Sequence, residues 1–240
     1  TIYNKSVKNQ HKTRHMKKAT FFFTCSIILP ALCFTAMAQY EAKDCGEIVK
    51  QHKKIAILPF VVSYQMKQTK NMSAEINQKQ LEAQSYLLQN QLYTAMLLRL
   101  EKLKYNVEIQ NIDETNSVLQ KAKITVGDLP ATPKEKVAKI LKADAVIYGI
   151  MSGKQLLTEG EAAAIKLIGT LSNSSTYTTT NECNMDVSLL NSFDGKLLWK
   201  FNGNYTGSSI EGMAENAFYS VSRQIPYSEK WRKKNERKNR

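Results

Sequence analysis

The sequence predicts an α/β fold built on a mixed β-sheet, with a parallel strand–helix–strand half, an antiparallel hairpin and helices packed on the sheet. Three observations carry this reading. Residues 142–150 read Lys-Ala-Asp-Ala-Val-Ile-Tyr-Gly-Ile, and from Ala145 to Ile150 one phenol is the only polar side-chain group, which suits a strand buried on both faces. An earlier apolar strand reaches this run through a long helical stretch, and the run itself is entered from an amphipathic helix. That order gives parallel neighbours with right-handed crossovers. Further on, Met185, Val187 and Leu189 alternate with Asp186 and Ser188, Asp194-Gly195 marks a turn, and Leu197, Trp199 and Phe201 alternate on the return, which is an antiparallel hairpin.

Taken in order, residues 39–51 read as a short polar lead. Ile55-Ala56-Ile57-Leu58-Pro59-Phe60-Val61-Val62 is a first strand in which Pro59 faces an edge or marks the end, because proline brings no N–H to a ladder. Within residues 73–103, Leu81, Leu88, Leu92, Met96, Leu100 and Leu103 recur at steps compatible with one helical face, and no Gly or Pro interrupts them. One long helix along the sheet is expected. Residues 105–109 give a short second strand and residues 112–123 a second helix, ended by Gly127 and Pro130. Thr132-Pro133-Lys134-Glu135 supplies an N-cap threonine, a proline at the first helical position and a glutamate at the third, which starts a helix running to Lys142 with Val137, Ile140 and Leu141 as its stripe.

After Gly153 the character changes. Ala162, Ala163, Ala164, Ile165, Leu167 and Ile168 make an apolar segment, followed by a Ser/Thr/Asn tract at residues 172–181. With Lys166 in its middle, the segment reads as a surface loop or short helix at the sheet's edge, and its alternatives are packing on a partner or dipping into a membrane. Residues 213–224 form a last amphipathic helix, with Ala214, Ala217, Phe218 and Val221 on one face and Pro226 as its stop.

The chain has 240 residues, and its first 38 read as lying outside the folded product. Residues 1–15 are basic and polar and are taken as an upstream extension. Residues 16–38 have a charged start at Met16-Lys17-Lys18, an apolar core and the small-x-small site Ala36-Met37-Ala38, the signature of a secretory signal peptide cleaved before Gln39. The alternative is that the apolar stretch stays as an anchor. Residues 39–227 are then a single domain of ordinary size, expected in the periplasm.

Of the 34 basic residues, 6 precede Gln39 and 7 fall in residues 228–240, leaving 21 bases against 19 acids between them. The body is nearly neutral, so nucleic acid is not an expected partner. The basic end itself, with Lys230, Trp231, Arg232, Lys233 and Lys234 at its centre, reads as a solvated, unordered tail or as a contact for an anionic surface such as lipid headgroups. Cys25 and Cys33 leave with the signal. Cys45 and Cys183 remain in an oxidising compartment and are either a disulfide or two separate buried thiols.

No constellation states a chemistry, and no enzyme activity, cofactor or metal is expected. His52 is the one histidine after the signal, which disfavours nucleophile–histidine mechanisms, and a solvated histidine is its ordinary reading. Two isolated cysteines and one histidine do not make a zinc site of the usual kind. Pro59-Phe60 stands where a phosphate-binding loop would need glycines. Asp144, Asp186 and Asp194 fall at a strand entry, a strand face and a turn, where polar residues serve structure.

The motifs Lys54-Ile55-Ala56-Ile57-Leu58-Pro59-Phe60, Leu141-Lys142-Ala143-Asp144-Ala145-Val146-Ile147-Tyr148-Gly149 and Asp194-Gly195-Lys196-Leu197-Leu198-Trp199 resemble the bacterial envelope group around the secretion channel CsgG, the amino-terminal domain of TolB and the penicillin-binding-protein activator LpoB. The resemblance covers residues 53–227 and is closest to the group's periplasmic lipoprotein-like members. It implies an exported, non-enzymatic assembly or protein-interaction module whose partner is an envelope protein or a second copy. The alternative it carries is a CsgG-like oligomeric outer-membrane secretion component, which would need residues 160–181 to form membrane strands. The lipid-attachment cysteine usual in CsgG and LpoB is missing.

Overall fold

The computed structural model describes residues 38–67, 74–172 and 179–238. The expected signal peptide and upstream extension lie outside the described residues apart from Ala38, which opens the first strand. The elements are β1 (Ala38–Glu41), α1 (Cys45–Val49), β2 (Lys54–Ile57), β3 (Val61–Gln65), α2 (Ala74–Leu103), β4 (Glu108–Ile109), α3 (Ile112–Lys121), α4 (Lys134–Leu141), β5 (Ala145–Gln155), α5 (Glu159–Leu171), β6 (Asn181–Asn191), β7 (Leu197–Gly207), α6 (Ile210–Gln224) and α7 (Glu229–Lys238).

Among the described residues the strands form one seven-stranded sheet in the order β1-β7-β6-β5-β2-β4, with β3 also paired to β5. The mixed α/β architecture is the one the sequence predicts. The apolar run is the middle of it: β5 lies parallel to β2 and β3 on one side and antiparallel to β6 on the other. Ala145, Val146 and Ile147 are fully buried, as a strand covered on both faces requires.

Pro59 resolves as a break within the sheet. Ile57 faces Ile147 and Val61 faces Ile150, so the segment across the break carries one residue more than β5 does. The extra residue turns Phe60 aside. Its amide donates to the Ser85 carbonyl on α2 at 3.2 Å, while Leu58 N–H stays on β5, donating to the Ile147 carbonyl at 2.9 Å. The Ile57 carbonyl at the end of β2 accepts from Gln89 Nε2 at 2.7 Å, and Gln89 exchanges hydrogen bonds with Asn116 of α3. Gln89 is fully buried, and these partners are what make that tolerable.

Helices α2 and α6 cover one face. Leu88, Leu92 and Met96 from α2, and Ala214, Ala217, Phe218 and Val221 from α6, pack on Ile55, Ile57, Ile147, Val187, Leu189, Trp199 and Phe201. Each of the Val, Leu, Ile, Met and Phe side chains among them contributes about 1.5–3 kcal/mol by leaving water. Trp199 is fully buried in this core. The opposite face has its own cluster, in which Leu119 of α3 and Val137, Ala138 and Leu141 of α4 meet Ala56, Leu58 and Val146. Further along that face β6 and β7 carry a polar network: Asn202 Nδ2 donates to Asp186 at 2.6 Å and to Asn184 at 3.1 Å, and Lys200 sits 3.3 Å from Asp186.

Three expectations need correction. Residues 39–51 are not a lead: β1 adds an edge strand to β7, and α1 follows it. Helix α4 begins one residue later than its motif implies, with Pro133 in the cap position, while Thr132 Oγ1 donates to the Asp128 carbonyl instead of capping. Its far end closes on Lys142 in the left-handed region, with φ 53°. Finally, most of residues 228–240 is ordered as α7. The turn between β6 and β7 is as expected, with Gly195 at φ +70° where a side chain would be strained.

Candidate functional site

Helix α5 bridges the far ends of β5 and β6. Its start is fixed by a capping box in which Glu161 N–H donates to Thr158 Oγ1 at 3.3 Å and Thr158 N–H donates to the Glu161 carboxylate at 2.6 Å. The same carboxylate pairs with Lys67 at 3.1 Å, tying the helix to the segment after β3. Ala162 and Gly169 are buried and Ile165 is half-buried, so these small positions, spaced along one side, form the inward stripe. The opposite side is apolar and open to solvent, with Leu167 61%, Ile168 65% and Leu171 80% exposed.

Of the six residues expected to form an interaction surface, Ala163, Ala164, Leu167 and Ile168 lie on the exposed side, Ile165 straddles it and Ala162 does not belong to it. Leu171 is the member missed. It stands four residues after Leu167 and three after Ile168, the spacing that puts all three on one helical face. The requirement for membrane strands fails over α5, because Glu159–Leu171 is helical. The rest of the Ser/Thr/Asn tract falls largely at residues 173–178, outside the described residues. Among the described residues no helix is long and apolar enough to cross a membrane.

The basic end is built differently from its expectation. Trp231 is only 6% exposed, and its Nε1–H donates to the Glu41 carboxylate at 3.0 Å while Asn235 Nδ2 donates to the other oxygen at 2.8 Å. An indole held this way does not sit at a lipid interface. Arg232 is half-buried, Lys233 and Lys234 are exposed, and the side chain of Lys230 lies outside the described residues.

Cys45 and Cys183 are both free and buried. They do not form a disulfide, because they lie at opposite ends of the sheet. Cys183 is paired with Tyr205 across the hairpin, whereas Cys45 follows β1, whose Glu41 faces Trp199. The stretch of β7 between Trp199 and Tyr205 alone spans roughly 20 Å, far beyond the reach of a disulfide. Burial pushes the Cys45 thiol up to about 12 and the Cys183 thiol up to about 11.

His52 is buried, not solvated. Its Nδ1 lies 2.7 Å from Tyr227 Oη and its Nε2 3.2 Å from Asn191 Oδ1. Because Asn191 Nδ2 donates to Asp194, its Oδ1 is the acceptor, which makes Nε2 the protonated nitrogen and Nδ1 the acceptor of the Tyr227 hydroxyl. Burial raises the Asp144 carboxyl, but the amides of Lys54 and Lys53, donating at 2.9 and 2.7 Å, outweigh it and hold the group below its ordinary value. These polar groups therefore tie chain segments together. Among the described residues no group of three His, Cys, Asp or Glu side chains is placed to hold a metal ion.

No protein-family model matches the chain, and no curated protein matches its sequence. Similar solved structures include the PelC dodecamer from Paraburkholderia phytofirmans, at 12% identity and TM-score 0.36, covering 81% of this chain and 97% of that one. Lipoprotein GNA1162 from Neisseria meningitidis is similar at 14% identity and TM-score 0.38, covering 73% of this chain and 99% of its own. The LpoB C-terminal domain from Escherichia coli is similar at 12% identity and TM-score 0.32, with coverage of 67% and 93%. At these identities residue roles rest on this chain's own geometry.

Proposed function

We propose that the protein is an exported, non-enzymatic interaction module of the bacterial envelope that docks a protein partner through the outer face of α5. The observation that carries the reading is that Leu167, Ile168 and Leu171 stand on one face of a capped, anchored helix and are each more than half exposed. A helix of this composition in water gains by burying that face in a groove of another protein. Two further points support it. The signal-like leader and the short sheet motifs resemble those of envelope modules, and His52, Asn191 and Asp144 are engaged in hydrogen bonds that join chain segments.

Photo-crosslinking residues placed at Leu167, Ile168 and Leu171 in the producing cells test this. Each should give one discrete product of the same mass, while a crosslinker at Phe193, which is 84% exposed in the turn at the other end of the hairpin, should give none. A monomer band alone from all the α5 positions would rule the reading out. A product of twice the chain's mass would identify the partner as a second copy.

A further inference from the structure

Helix α6 turns Ala214, Ala217, Phe218 and Val221 into the core, and the other side of the same helix carries Tyr219 and Arg223 one turn apart. Helix α7, pinned by Trp231 and Asn235 on Glu41, presents Lys233, Lys234 and Arg237 alongside them. Together with Lys102 near the end of α2 they line a cleft of about 930 Å³. Five of its lining side chains are cationic and none is a carboxylate. The Glu41 carboxylate has both oxygens taken by Trp231 and Asn235. Among the described residues no carboxylate is ion-paired with Lys102, Arg223, Lys234 or Arg237.

The wall is ordered as well as charged. The Tyr219 ring lies 4.1 Å from the Arg99 guanidinium carbon and 5.4 Å from that of Arg223, and Arg223 Nη1 donates to the Tyr219 hydroxyl at 3.0 Å. Arg223 is thus held in place by one of its N–H groups with the rest of its fork available. Like charges gathered on a concave, partly apolar surface repel one another and raise the local potential, so the species that gains most on entering is a compact anion of several charges. Phosphate oxygens match arginine forks and lysine ammoniums at once, and the cleft has the size of an ordinary small-ligand site.

We propose that the cleft between α6, α7 and the end of α2 binds phosphate groups of a multiply charged ligand, carried either on a lipid headgroup or on a free small molecule. Trp231 lines the cleft while Trp199 is fully buried, so the emission of Trp231 reports occupancy. The test titrates the purified protein with inorganic tripolyphosphate, and separately with vesicles of phosphatidylglycerol in phosphatidylcholine. Saturable binding of both probes would assign a headgroup, and binding of tripolyphosphate alone a free ligand. In either case Lys234→Gln with Arg237→Gln should weaken binding about tenfold or more, each lost contact being a hydrogen bond between charged groups. Lys121→Gln with Lys139→Gln, which removes the same charge from exposed sites on α3 and α4, should leave binding within about twofold. Circular dichroism should show both double variants folded. Failure of tripolyphosphate to bind, wild-type binding by the cleft variant, or equal loss in the two variants would overturn the proposal.

Discussion

The hydroxyl of Tyr227 lies 2.7 Å from Nδ1 of His52, a buried contact that joins residues 175 positions apart. Tyr227 is fully buried, and the same imidazole reaches Asn191 in the hairpin turn. Three separate segments, the entry to β2, the end of β6 and the chain after α6, are therefore held at one point by one neutral ring.

That arrangement gives a pH dependence with a definite sign. Burial holds the His52 pKa below its ordinary value of 6.5, and the Asn191 hydrogen bond and the Asp144 charge only partly oppose it. A depressed histidine is neutral in the folded protein while the unfolded chain takes up a proton, so stability is full above about pH 6.5 and falls as pH drops through the window below it. The slope from this one group is at most about 1.4 kcal/mol per pH unit. Protonation would also turn Nδ1 from acceptor to donor, so the Tyr227 O–H would lose its acceptor and the hydroxyl would have to turn to accept instead. Denaturant midpoints measured between pH 7 and pH 5 should fall for the wild type and stay nearly flat for His52→Gln; parallel curves for the two would exclude His52 as the source.

A second prediction concerns Gly149, in the middle of β5. A Cβ built there would sit 2.2 Å from Phe60 Cε1, and the Phe60 ring is itself fully buried and packed edge-on against Phe218 at 5.2 Å between centroids. The residue displaced by the break at Pro59 therefore lays its ring across a position of β5 that lacks a side chain. Gly149→Ala should destabilise by about 1–3 kcal/mol, since overpacking forces ring and strand apart. Pairing it with Phe60→Leu should restore part of the loss. Additive losses in that double-mutant cycle would mean that the two positions are not in contact.

The sheet and its helices were legible because their signals are local. The apolar run at residues 145–150, the uninterrupted leucine spacing of α2 and the alternation on β6 and β7 each fix an element and its buried face without help from elsewhere. The misreadings share a different cause. His52 looks solvated beside Lys53 and Lys54, and its burial depends on Asn191 and Tyr227, which arrive from distant parts of the chain. The separation of Cys45 from Cys183 depends on where β1 joins β7, a register that the polar sequence of residues 39–51 does not announce. Of the interaction surface, the apolar content was legible, but which residues point outward required knowing that the segment is helical. The basic cleft could not be read at all from spacing, since Lys102, Arg223 and Arg237 come from three helices.

The same reasoning changes what is expected of residues 228–240. Composition alone makes them too charged to order, with one large apolar side chain among seven bases. That side chain is the point: Trp231 joins the main core, its ring atom Cη2 lies 3.6 Å from where a Cβ on Gly46 would be, and its indole N–H satisfies Glu41. Truncation after Ser228 should therefore cost about 3 kcal/mol, in the range for losing a packed aromatic side chain, and lower the melting temperature by roughly 6–12 °C for a domain of this size. Trp231→Phe separates the causes, because it keeps most of the packing and removes only the donor to Glu41, so it should lose about 1 kcal/mol. Calorimetry of the three proteins decides the matter. A truncated chain that melts with the full one would return these residues to the solvated tail their composition predicts, and would take the α7 wall of the basic cleft away with it.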